Sequence, residues 1–265
     1  MIISASRRTD IPAYYSDWFF AKLASGAVDV KNPFNPNQVR TVSLKPEAVD
    51  GFVFWSKNPA PMAARLYLLS GTPFYFQYTL NAYDSDIEPG LPPLSERIET
   101  FRRISSAIGP KRVIWRYDPI LTNDKYTAEW HAQAYSHIAE SLAGYAQRSI
   151  ISFIDSYRKI TKSLRLHGIS EPSGDEIRRI ASLLAPSARS AGMSIATCAE
   201  EVELSEYGVT HARCVDAELM GGIAAPKKDP NQRPACGCAP SVDIGAYNTC
   251  KSGCIYCYAN TIKKA

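Results

Sequence analysis

The chain has 265 residues, 45% of them hydrophobic and 21% charged, with a formal net charge of +4, which is the profile of a globular protein rather than a disordered or fibrous one. No apolar run approaches the roughly 20 residues of a membrane span, and MIISASRRTD at the start is too short in apolar residues to be expected to act as a secretory leader. A cytoplasmic, reducing setting is expected, in which the seven cysteines serve as metal ligands or reactive thiols rather than disulfides.

In chain order, the first expected strand is Ile2–Ala5, running into the polar stretch Ser6-Arg7-Arg8-Thr9-Asp10. A helical pattern near Tyr14–Ala24 follows, and then Val28–Leu44, whose Asn32-Pro33 and Asn35-Pro36 pairs mark a hairpin outside the main repeat. The strand Phe52–Trp55 ends in Ser56-Lys57-Asn58 and leads to a helix over Pro59–Leu69. The strand Phe74–Leu80 carries Gln77 and Thr79 and is followed by Asn81. A helix over Leu94–Ile108, with Ser95 as its start signal, precedes the strand Val113–Tyr117, which bears Arg116 and leads to Asp118. Thr127–Gly144 reads as a helix, Ser149–Phe153 as a strand with Asp155 just beyond it, and Gly174–Ala191 as a helix. The strand Ser194–Thr197 leads to Cys198, Glu200 and Glu201, and Thr210–Val215 is a weaker seventh strand. Gly221–Pro234, with three prolines, reads as an exposed linker into the cysteine-rich stretch Cys236–Cys257.

Alternating strands and helices predict a parallel sheet with helices packed on it. The rival to a barrel is a doubly wound sheet, but no Gly-x-Gly-x-x-Gly follows the first strand, which removes its dinucleotide-binding form. Most strands end in polar residues, and a barrel builds its site at those C-terminal ends. The expectation is therefore an α/β fold: a TIM-like (β/α) barrel or partial barrel of six to seven units over residues 1–220. Residues 221–265 form a linker and cysteine-rich tail packed on the barrel as one domain.

Cys250, Cys254 and Cys257 follow a C-x3-C-x2-C spacing. Thiolates so spaced can meet three irons of one [4Fe-4S] cubane and leave the fourth iron open. Zinc is the weaker reading, because a structural zinc site usually wants four closed ligands. The other four cysteines are Cys198, Cys214, Cys236 and Cys238. Two lie at candidate strand ends and two arrive from the tail, with Gly237 letting the backbone turn between them. Together they suit a second iron–sulfur cluster, the first expectation, or a tetrahedral zinc.

The cysteine loop, with Tyr256 just before its last cysteine, resembles that of radical S-adenosylmethionine (SAM) enzymes. Several stretches also resemble the bacterial domain-of-unknown-function family 1848: SASRRTDIPAYY (4–15), FWSKNP (54–59), WRYDPI (115–120), TCAEE (197–201), Lys227–Asp229 and CGCAPSVDIGAYNTCKSGCIYCYAN (236–260). That resemblance spans essentially the whole chain and implies a C-terminal cysteine cluster like the radical SAM one. The loop stands at the opposite end of the chain from its place in radical SAM enzymes. A circularly permuted barrel, with Ser241–Tyr247 feeding the loop beside Ile2–Ala5, or a tail folded over a complete barrel would each bring it to the strand ends.

The radical SAM resemblance implies S-adenosyl-L-methionine on the open iron and an electron donor such as a flavodoxin or ferredoxin. Arg7, Arg8 or Arg116 would then hold the SAM carboxylate, since arginine offers a bidentate fork. Lys57, Asn58, Gln77, Thr79 and Asn81 are cofactor- or substrate-binding candidates, with Tyr256 against adenine and Glu200 or Glu201 on the amine. Asp10, Asp118 and Asp155, with Arg116, are the candidates for catalysis. Salt bridges and strand-end caps are the competing role for each carboxylate. The histidines lie apart, at 131, 137, 167 and 211, and are expected to be structural or superficial. Two further readings remain: an iron–sulfur electron-transfer or redox-sensing protein, and a zinc-stabilised nucleic-acid-binding module using Lys227, Lys228, Arg233, Lys263 and Lys264.

Overall fold

The computed structural model describes residues 1–221 and 228–261. In chain order its strands are β1 (Ile2–Ala5), β2 (Ala27–Asn32), β3 (Asn35–Ser43), β4 (Gly51–Ser56), β5 (Phe74–Thr79), β6 (Val113–Ile120), β7 (Arg148–Phe153), β8 (Ser194–Thr197), β9 (Val209–His211) and β10 (Ser241–Asp243). Its α-helices are α1 (Ile11–Tyr14), α2 (Ser16–Ser25), α3 (Ala60–Ala63), α4 (Leu94–Ile108), α5 (Ala128–Ser141), α6 (Thr161–Leu166) and α7 (Gly174–Ser190).

Eight strands form one sheet in the order β10-β1-β4-β5-β6-β7-β8-β9, and each neighbouring pair is parallel. Apart from β10 standing ahead of β1, the strands follow chain order, without the reversal of a doubly wound sheet. Among the described residues no ladder joins β9 to β10. The β2–β3 hairpin is antiparallel and separate, as Val28–Leu44 predicts.

The two faces of the sheet carry different cores, because successive strand residues point to opposite sides. Ile3, Phe52, Phe54, Phe76, Trp115 and Ile151 pack with Phe19 of α2, Phe101 of α4, Tyr135 of α5 and Leu184 of α7. Ile2, Val53, Tyr75, Ile114, Ile150 and Ala196 face the other way, where Cys214, Val215, Ala217, Met220, Cys236 and Cys238 cover them. The helix-forming segments behave accordingly. In α7, Ile177, Ile180, Ala181, Leu184 and Ala188 are buried at helical spacing, and the Ser173 side chain caps Glu176 N at 3.2 Å. Thr127 caps α5 through Trp130 N at 3.2 Å.

Three local expectations are corrected. Ser95 does not start its helix; α4 begins at Leu94 after Pro93, whose extended backbone marks the boundary. Pro59–Leu69 is not one helix: α3 stops at Ala63 and a 3-10 turn covers Leu66–Leu69. The break falls at Arg65, whose guanidinium reaches Asp17 of α2 at 2.6 Å and stacks on Phe20. The helix near Tyr14–Ala24 is divided at Tyr15 into α1 and α2. Among the described residues no helix is long and apolar enough to cross a membrane.

Candidate functional site

A cavity of about 560 Å³ opens at the C-terminal ends of the sheet strands, and all seven cysteines line it. Around them stand Arg7, Arg8, Asp10, Trp55, Lys57, Thr79, Arg116, Asp118, Asp155 and Tyr256.

The loop after β10 brings Cys250, Cys254 and Cys257 to the cavity. Gly253 turns it with φ +70°, a left-handed conformation that glycine adopts without strain. Two backbone bonds fasten the loop to the segment after β5: Gly90 N to Ser252 O at 3.0 Å and Ile255 N to Ile87 O at 3.1 Å. Tyr14 Oη lies 3.1 Å from Ser252 Oγ, and Tyr15 Oη donates to Thr249 O at 2.6 Å. Burial pushes the Cys254 thiol up to about 12, opposed by the nearby Lys57 cation, and burial also raises Cys257.

Beneath the loop, Lys57 Nζ donates to Glu88 Oε1 at 2.8 Å. Tyr256 Oη donates to the same oxygen, and Asn81 Nδ2 does so at 3.1 Å. Burial works against the Lys57 ammonium, but Glu88 and Cys254 outweigh it and raise its pKa. Glu88 has no signal in the sequence; its importance comes from contacts distant in the chain.

On the other side of the cavity the second four cysteines converge. Cys198 Sγ and Cys214 Sγ are 2.8 Å apart, and Val215 N donates to Cys238 Sγ at 3.4 Å. All seven cysteines are free of disulfides. Among the described residues no group of three or more His, Cys, Asp or Glu already stands in metal-holding geometry; Cys198 and Cys214 sit closer together than two ligands around an ion.

Arg116 is buried, 4% exposed, and committed on several sides. Its Nε and Nη2 donate to Asp118 Oδ2 at 2.9 and 2.7 Å, and its Nη1 to Cys214 Sγ at 2.9 Å. Burial pushes the Asp118 carboxyl up, but Arg116 and the Ser152 hydroxyl bring it below the usual carboxylate range. Asp10 caps α1 and is saturated by Ala13 N at 2.9 Å, Ser56 Oγ at 2.7 Å and Lys57 N at 2.8 Å. Burial nevertheless raises its pKa. Asp155 pairs with Arg233 at 2.6 Å.

Arg7 is less committed: among the described residues its guanidinium makes only long bonds, 3.3 Å to Gln232 and 3.4 Å to Ser241, and stacks on Trp55. Arg8 stacks on Tyr247 and stands 4.0 Å from Asp243. Trp55 and Asp243 are the participants that residue types alone miss. Trp55 faces the cavity beside both Arg7 and Arg116. Asp243 accepts from Ser4 Oγ, Ser6 Oγ and Arg7 N at 2.6–3.0 Å, fastening β10 to the loop after β1.

Other candidates lie off the cavity wall. Asn58 Oδ1 accepts from Ala60 N at 3.4 Å, and Gln77 donates to Cys214 O at 2.8 Å. Asn81 clamps Asp118 through its main-chain N and O at 2.9 and 3.0 Å. Glu200 accepts from Phe153 N at 2.9 Å, and Glu201 is exposed. His131 is buried between Tyr117 Oη and Leu121 O, each at 2.8 Å. Lys228 donates to Pro234 O, while Lys227, Lys263 and Lys264 lie outside the described residues.

These features define an α/β protein with a one-sided parallel sheet and a cysteine-lined cavity at its strand ends. The family model of a domain of unknown function, DUF1848, matches residues 2–259, so the chain belongs to that family. No curated protein and no solved structure matches it.

Proposed function

We propose that this protein is an iron–sulfur enzyme of the radical SAM type. One observation carries the reading: Cys250, Cys254 and Cys257, spaced C-x3-C-x2-C, line the same strand-end cavity as Arg7, Trp55 and Lys57. The donor set fits a [4Fe-4S] cluster with one iron left open, since thiolate is its usual ligand and three are supplied. Held by Cys250, Cys254 and Cys257, such a cluster would supply one-electron reduction of bound SAM and so start radical chemistry on a substrate. An electron donor of the flavodoxin or ferredoxin class would serve it.

The chain's own residues bind, orient and exclude water. Lys57 lowers the cost of thiolate charge at Cys254 and Cys257. Arg7, whose guanidinium bonds Gln232 and Ser241 at 3.3 and 3.4 Å, is the guanidinium suited to a carboxylate. Thr79 and the Tyr157–Tyr258 pair, ring centroids 5.6 Å apart, line the wall where ribose and adenine would lie. Asp118 stays ionised beside Arg116, which suits it to hold a substrate proton donor rather than to give up a proton.

The strand order supports reading the sheet as a permuted (β/α) barrel with an open seam. β10, which feeds the cysteine loop, pairs in parallel with β1 from Ile2↔Ser241 to Ser4↔Asp243. Anaerobic reconstitution with iron and sulfide, then dithionite and SAM, should release 5′-deoxyadenosine, and replacing the three cysteines by alanine should abolish it. A fully loaded protein that releases none, and whose spectrum ignores SAM, would overturn this role in favour of electron transfer.

A further inference from the structure

The four cysteines outside the C-x3-C-x2-C loop come from three places that flank the break in the sheet. Cys198 directly follows β8, which ends at Thr197. Cys214 lies just past β9, which ends at His211. Cys236 and Cys238 lie just ahead of β10, which starts at Ser241. β9 and β10 are the two edges of the sheet, and no ladder joins them among the described residues.

Among the described residues, one backbone bond and one sulfur contact bridge Val215 and the Cys238–Ala239 segment across that gap. Ala239 N donates to Val215 O at 2.9 Å, and Val215 N to Cys238 Sγ at 3.4 Å. Cys214 is held from below, where its carbonyl accepts Tyr75 Oη at 2.6 Å and Gln77 Nε2 at 2.8 Å. Arg116 Nη1 meets its sulfur at 2.9 Å, a cationic partner for anionic thiolates.

The spacing of one thiol pair favours a single ion over a cluster. A tetrahedral ion with Zn–S of about 2.3 Å sets its thiolates about 3.8 Å apart. Cys198 and Cys214 stand at 2.8 Å, so about 1 Å of opening would admit one ion. A four-iron cluster spreads its thiolates onto separate irons and needs a wider opening.

We propose that Cys198, Cys214, Cys236 and Cys238 form a tetrathiolate site for a single divalent cation of the zinc type, which staples the two edges of the open sheet together. The site is independent of the role assigned to the other three cysteines. Its metal replaces the missing ladder and fixes one wall of the cavity.

The test uses the full chain carrying Cys250→Ala, Cys254→Ala and Cys257→Ala, purified anaerobically from cells supplied with both iron and zinc. Its metal content therefore says nothing about the first site. About one zinc per chain should remain, and cobalt exchange should give the spectrum of a tetrahedral tetrathiolate. A chelator that strips the metal should lower the melting temperature. Adding Cys198→Ser should abolish the stoichiometric metal, whereas adding Cys236→His should keep one cobalt with a shifted spectrum, because imidazole also ligates zinc. Iron with sulfide in place of zinc, a Cys198–Cys214 disulfide in an anaerobic thiol count, or a metal-free chain would each overturn the proposal. If the Cys198→Ser chain is insoluble, the metal and thiol counts of the triple variant decide the matter alone.

Discussion

Lys57 and Glu88 form a buried ion pair at 2.8 Å directly beneath the cysteine loop, and the Tyr256 hydroxyl shares the Glu88 oxygen. Glu88 is fully buried, and Arg97 stands 3.8 Å from its second oxygen. Removing one member of such a pair leaves uncompensated charge, at a cost of about 3–5 kcal/mol. Glu88→Ala should therefore lower the unfolding free energy by that order, read as a lower denaturant midpoint at unchanged slope, and weaken iron retention on the loop. Burial pushes the Glu88 carboxyl up, but Lys57 and Arg97 prevail and hold it below its ordinary value. Its contribution is complete above the ordinary carboxylate range and disappears as acid takes the pH through the depressed native value. Stability curves of Glu88→Gln should lack that share of the acid limb; an unchanged limb would reject the assignment.

Glu200 points the opposite way. Burial raises its carboxyl to about 7 from an ordinary 4.5, opposed by the Phe153 amide and reinforced by Asp155 and Asp118. The native state then binds more protons than the unfolded one, so this group withdraws stability as pH rises from about 4.5 to about 7. Burial lowers His131 from 6.5 to about 4, so that group withdraws stability as pH falls across its own interval. The two slopes oppose each other where they overlap. Glu200→Gln should leave the His131 slope exposed, giving stability that climbs between pH 4.5 and 6.5 where the parent is flatter. Chemical denaturation at half-unit pH steps would detect the change, and parallel curves would refute it.

Gly90 is the closest point between the loop after β5 and the cysteine loop. A Cβ there would meet Ser252 O at 2.5 Å and Ser252 C at 2.9 Å, both backbone atoms. Overpacking of this kind costs typically about 1–3 kcal/mol. Gly90→Ala should displace the loop bearing Cys250 and Cys254, so that reconstituted iron falls while far-ultraviolet circular dichroism stays native. Full iron loading in that variant would show that the contact does not position the loop.

Much of the fold is legible in the residue pattern, and the failures have physical causes. Phe52 and Phe54 against Val53 and Trp55 announce a strand buried on both faces. β10 is only Ser-Val-Asp, within the Ser241–Tyr247 stretch that a permuted barrel places beside Ile2–Ala5, and its ladder to β1 sets which end of the sheet receives the cysteine loop. The cysteine spacing is readable because it is local in the chain, and polar residues at the strand ends do line the cavity. Which polar residues are spoken for is not readable: Gln77 and Asn81 bond groups far along the chain, Asn58 accepts from Ala60 N close by, and of the four Thr79 lines the cavity. Glu88 is hidden for the same reason, since its partners Lys57 and Tyr256 lie far along the chain.

Arg7 tests the cofactor reading most directly. Its backbone N–H is fixed on Asp243 Oδ2 at 2.8 Å, so the residue stays in place when its side chain changes. Among the described residues the guanidinium has only long bonds, so Arg7→Gln should cost little stability. If it holds the SAM carboxylate, losing a charged hydrogen bond of about 1.5–3 kcal/mol should weaken SAM binding roughly 10- to 100-fold. Arg7→Lys should recover only part of it, because an ammonium cannot grip both carboxylate oxygens in one plane. Equilibrium binding of SAM to the reconstituted protein measures both variants. Unchanged affinity in Arg7→Gln, with the cluster fully loaded, would remove this residue from the cofactor site.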